Sequence, residues 1–91
     1  MIYIVSFESG VSGRDGAAVR AALEACGTVN AFQRTAWLVD SSLTASQIRD
    51  ELKPSLEVED SVFVSALDLR SWAGWNTRLK VWLSEHGLQD P

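Results

Sequence analysis

The stretch Ile2-Tyr3-Ile4-Val5-Ser6-Phe7-Glu8 constrains the fold of this chain more than any other. It is rich in β-branched and aromatic residues, and apolar groups fall on both of its alternating faces until it ends on an acid. Such a segment suits the middle of a sheet with both faces covered. It begins at the second residue, so the organising strand is expected to open the chain with no leader before it. A glycine-punctuated turn, Ser9-Gly10-Val11-Ser12-Gly13, follows. Its glycines do not follow the order G-x-G-x-x-G, so they are not a dinucleotide fingerprint. An acid at the end of a central strand, beside an exposed turn, is where chemistry can be built.

The rest of the chain alternates helix and strand signals. Val19, Ala22, Leu23 and Cys26 fall at i, i+3, i+4 and i+7, which predicts a helix over 15–26 stopped by Gly27. Residues 28–33 and 35–40 read as strands joined by a turn at Arg34-Thr35. Thr44 and Gln47 form the Thr-x-x-Gln capping box, which starts a helix over 45–53 that Pro54 ends. Residues 61–67 read as a fourth strand, and Asp68 follows it as Glu8 follows the first. Asn76 is expected to cap a last helix over 77–86, with Trp75, Leu79, Trp82, Leu83 and His86 as its apolar stripe and Gly87 closing it.

Strand, helix, strand, strand, helix, strand is the split βαβ order. It predicts an α+β fold over residues 1–91: a ferredoxin-like βαββαβ domain with a four-stranded antiparallel sheet and an added C-terminal helix. Strand one would then lie between strands three and four. The two main helices cover only one face, yet Trp37, Phe63 and the first strand leave apolar groups for both. A partner subunit, the C-terminal helix or nucleic acid must cover the second face.

Ninety-one residues suffice for one domain of marginal stability, for which pairing with a second copy is a natural way to bury more surface. The net charge of −4 argues against a domain that coats nucleic acid, but not against a nuclease with acidic metal ligands. A single cysteine, Cys26, excludes an internal disulfide and a cysteine-rich zinc site, and its place on a helix stripe reads as a core thiol. With no signal peptide and no long apolar run, a cytoplasmic protein without a membrane association is expected. The acids Glu57, Glu59 and Asp60 lack regular oxygen-ligand spacing and read as a solvated connector.

The phrases Tyr3-Ile4-Val5-Ser6-Phe7-Glu8, Thr35-Ala36-Trp37-Leu38-Val39 and Leu43-Thr44-Ala45-Ser46-Gln47-Ile48 together resemble the small ferredoxin-like CRISPR-associated proteins that serve as the dimeric partner of the spacer-adaptation integrase. Related in pattern are the virulence-associated protein D ribonucleases and the GhoS-type antitoxin ribonucleases. The resemblance spans about residues 2–67. It implies a homodimer and metal-dependent phosphodiester cleavage. In the CRISPR-associated family an aspartate ends the first strand and, doubled across the dimer, holds a divalent metal. Glu8 is the matching residue here, so Glu8 is the implied catalytic residue and Mg²⁺ ligand, one methylene longer than the family's acid. The segment Trp72-Ala73-Gly74-Trp75-Asn76 departs from that pattern, which places a further strand there.

Two main expectations follow. In the first, a nuclease acts on RNA or DNA with Mg²⁺ between two Glu8 side chains, and Ser6, Ser9, Ser12 and Arg14 hold the phosphate. In the second, a dimeric module without catalysis binds a protein or nucleotide partner, with Trp37, Phe63, Trp72 and Trp75 at its interfaces. A third reading, an RNA-recognition module stacking a base on Trp37, lacks the usual basic and glycine residues.

Overall fold

A computed structural model describes residues 1–10 and 15–86. The opening strand, β1 (Ile2–Glu8), lies inside a four-stranded antiparallel sheet of order β2-β3-β1-β4, which β2 (Thr28–Gln33), β3 (Ala36–Asp40) and β4 (Ser61–Ala66) complete. The pairing register sorts every side chain by face, because side chains of directly opposed residues project to the same side. Val5 opposes Trp37 on β3 and Val64 on β4, whereas Ser6 opposes Ala36 and Phe63.

The two faces are covered by different elements. Tyr3, Val5, Phe7, Trp37 and Val39 pack under α1 (Ala17–Glu24) and α2 (Ala45–Leu52), which contribute Val19, Leu23, Ile48 and Leu52. Each of these aliphatic side chains, taken wholly out of water, contributes roughly 1.5–3 kcal/mol, so this cluster dominates the stability. Trp37 is 2% exposed and packs at a tilt against Phe7, with ring centroids 6.3 Å apart. It has no surface left for a partner or a base, which corrects its expected place at an interface. On the opposite face Ile2 and Leu38 are covered by Leu79 and Leu83, with Ile4, Phe32, Leu67, Leu69 and Trp82 around them. The last helix, α3 (Lys80–Glu85), is therefore one of the covers that the apolar second face required.

The local signals are realised with three physical differences. The capping box of α2 is complete: Thr44 Oγ1 accepts the Gln47 N–H at 3.1 Å, and Gln47 Oε1 accepts the Thr44 N–H at 2.9 Å. A short 3-10 turn, Lys53–Ser55, then carries the chain through Pro54. First, α1 starts at Ala17 because Gly16 stands before it at φ 78°, and the Asp15 carboxylate takes the Ala17 N–H at 3.0 Å. Second, Gly27 has no left-handed backbone; its role is close approach, since a Cβ there would lie 2.0 Å from the Asp40 carbonyl oxygen. Third, α3 does not begin after Asn76. Asn76 and Arg78 both sit at φ 57°, outside helical geometry, and Trp75 is left off the helix, 88% exposed. Gly87 lies outside the described residues. Among those described, no helix is long and apolar enough to cross a membrane.

Candidate functional site

The second face of the sheet is covered at one end and open at the other. α3 sits over the Ile2 end of β1. Toward the Glu8 end, Ser6, Glu8, Ser61 and Phe63 share that face, and all four are exposed. Phe63 is 65% exposed, although it stands mid-strand, directly opposite Ser6. A hollow of about 640 Å³ runs here between Ser6, Glu8, Gln33, Thr35 and Phe63. An exposed phenylalanine on a paired strand is the informative kind of departure from normal burial.

Glu8 ends β1 opposite Ser61. Among the described residues, no group of three His, Cys, Asp or Glu side chains stands close enough to hold a metal ion. One carboxylate is too few for an ion that prefers six oxygen ligands, so a single copy does not fit the Mg²⁺ that the resemblance implies. Of the residues expected to hold phosphate, Ser6 is exposed on the open face and Ser9 is half-buried beyond the strand end. Ser12 and Arg14 lie outside the described residues.

The acidic connector has a structural task instead. Asp60 Oδ1 accepts the Gly10 N–H at 3.0 Å, and its Oδ2 accepts the Glu57 N–H at 2.8 Å. One carboxylate thus ties the turn after β1 to the entry of β4. Gly10 is required at this crossing, because a Cβ there would meet Glu59 Cβ at 2.3 Å.

At the covered end, His86 Nδ1 lies 2.8 Å from Asp40 Oδ2, and its ring stacks on Trp82 at 4.1 Å. The hydrogen bond to His86 holds the Asp40 carboxyl below its usual range, against a smaller opposing effect of burial, with help from the Met1 ammonium 3.5 Å away. This pair latches α3 to the end of β3. Periodicity placed His86 on the stripe of α3 but did not supply the partner 46 residues earlier. The Cys26 thiol is buried, donates weakly to the Ala22 carbonyl at 3.6 Å, and is pushed up first by burial and then by Glu51. It is a core thiol, not a nucleophile.

Trp72 is 43% exposed, and both it and Trp75 belong to the non-helical segment before α3. A further hollow of about 430 Å³, which the sequence did not signal, brings Arg20 and Arg34 together beside Asp15 between the start of α1 and the β2–β3 turn. Arg20 is already paired with Glu24 at 3.4 Å. Compared with known proteins, the chain matches no family model, no curated protein and no solved structure.

Proposed function

We propose that this chain is a small self-associating binding module of ferredoxin-like arrangement, comparable in design to the dimeric CRISPR-associated proteins, and that it works by contact and not by cutting phosphodiesters. The sheet order β2-β3-β1-β4, with α1 and α2 on one face, supports the arrangement. The observation that carries the functional reading is Phe63, 65% exposed in the half of the second face that α3 leaves open. The test is sedimentation of the full chain over a range of concentrations, paired with cleavage assays on RNA and DNA in Mg²⁺ and Mn²⁺. The expected result is a dimer without metal-dependent cleavage. A strict monomer overturns the reading.

One observation favours a second reading, the nuclease. Glu8 projects on the same face as Ser6 and Phe63, so two copies meeting face to face through that surface would bring two carboxylates toward one another. Metal-dependent cleavage that disappears in Glu8→Ala would establish it in place of the first.

A further inference from the structure

Five of the six residues of β4, Ser61-Val62-Phe63-Val64-Ser65, read the same in both directions about Phe63. β4 is also an edge strand, with β1 on one side and, among the described residues, no strand on the other. Its hydrogen-bonding phase follows from one contact. The Leu67 N–H donates to the Ile2 carbonyl at 2.9 Å. Alternation then turns the main-chain groups of Ser61, Phe63 and Ser65 toward β1, and those of Val62 and Val64 outward. Among the described residues, no main-chain group meets Val62 or Val64 on that side.

Edge strands in natural proteins are blunted by charge, proline, bulges or a covering element. The opposite edge, β2, has such a device, a register shift between Asn30 and Gln33. β4 has none of the first three: it carries no charge and no proline, and its pairing with β1 runs without a shift from Glu8–Ser61 to Tyr3–Ala66. A hollow of about 230 Å³ lined by Ala45, Ser46, Arg49, Val62, Phe63 and Val64 leaves room along it.

We infer that the occupant of this edge is the β4 strand of a second copy, paired antiparallel about a two-fold axis at Phe63, which joins the two sheets into one of eight strands. This inference rests on the self-association reading above and supplies its surface. The palindrome is what makes a second copy the occupant, since a two-fold interface must be self-complementary. Phe63 opposes its own copy, Val62 opposes the partner's Val64, and Ser61 opposes the partner's Ser65. The outward N–H and C=O groups of Val62 and Val64 supply four hydrogen bonds across the seam. Phe63 then occupies a non-hydrogen-bonded site, where side chains come closest and an aromatic pair gains most. Two copies use both β4 edges, so the assembly closes at the dimer. In this pairing the two Glu8 Cα atoms stand roughly 20 Å apart, from strand spacing and rise, which is incompatible with one shared metal ion.

The experiment uses the full chain. Val64→Pro removes one outward N–H and no hydrogen bond of the sheet itself, because proline is tolerated where the strand's N–H faces away. Unchanged circular dichroism with at least a tenfold weaker dimer is expected. Register is read separately by oxidative cross-linking: Phe63→Cys links to itself, Ser61→Cys alone does not, and a mixture of Ser61→Cys with Ser65→Cys gives a covalent dimer. A dimer that keeps its affinity in Val64→Pro, or that cross-links in none of these pairs, overturns the edge while leaving self-association standing. Assemblies growing beyond two copies overturn the two-fold closure. A wild-type chain that stays monomeric overturns both readings.

Discussion

Single residues in this chain act mainly by what they allow other segments to approach. Gly10 and Asp60 make the point together. The carboxylate holds the turn after β1 against the entry of β4, and the glycine leaves the space in which that crossing occurs. Gly10→Ala forces a methyl against Glu59, so the crossing must open, and a loss of about 1–3 kcal/mol is expected in urea unfolding. The Glu8 end of the open face should loosen with it, seen as faster amide exchange at Ser9 and Gly10. Thr44 acts differently, through hydrogen bonds to orphan amides at the start of α2. Thr44→Ala should cost about 1 kcal/mol without changing the oligomeric state. A larger effect on self-association than on stability would show that α2 takes part in the seam.

At the scale of elements, α3 is a separable cover. It touches the sheet through Leu83 and Trp82, with Leu79 just before it, and is latched by the His86–Asp40 pair. Leu83 is 2% exposed, and Leu83→Ala is expected to cost about 2–5 kcal/mol and to raise the binding of apolar dyes to the uncovered Ile2–Leu38 patch. The latch also has a pH signature. Asp40 is held below its ordinary value of 3.8 in the folded chain, so its contribution is present above that value and is lost as pH falls through the lower folded one. Acid titration of the wild type should therefore lose stability below about pH 3.8 more steeply than Asp40→Asn, measured by thermal unfolding at each pH. How much of this was legible follows from the range of the interactions. The helix-face core was readable because alternation in β1 and the stripes of α1 and α2 are local patterns. The latch was not, because Asp40 and His86 are brought together only by the sheet and α3. The start of α3 was not, because two positive-φ residues on either side of Thr77, Asn76 and Arg78, override an asparagine that reads as a cap. Trp37 and Phe63 looked equivalent as large aromatics on strands. Only the register, which sets Trp37 opposite Val5 and Phe63 opposite Ser6, sends one into the core and the other to solvent.

For the whole molecule, the distribution of charge decides what kind of contact self-association can be. Each copy carries −4, so two carry −8, and long-range electrostatics oppose their meeting. The charged pairs Arg49–Asp50, Lys53–Asp50 and Arg70–Asp68 are satisfied within one copy and offer little attraction to another. β4 is instead uncharged along its whole length, so pairing through it brings apolar and main-chain groups together at the seam. Such a dimer must strengthen as salt screens the net repulsion, since the Debye length falls from about 10 Å at 0.1 M to about 3 Å at 1 M. The dissociation constant from sedimentation equilibrium is expected to fall several-fold between 0.05 and 0.5 M NaCl, as an order-of-magnitude range for the screening. A face-to-face pair that brought two Glu8 carboxylates together would share that salt response but would also tighten in Mg²⁺ at constant ionic strength. The edge pair, with its acids roughly 20 Å apart, would not. Titration with Mg²⁺ at fixed ionic strength therefore separates the two geometries without relying on catalysis: an unchanged dissociation constant supports the β4 seam, and a Mg²⁺-dependent tightening that Glu8→Gln abolishes supports the paired acids.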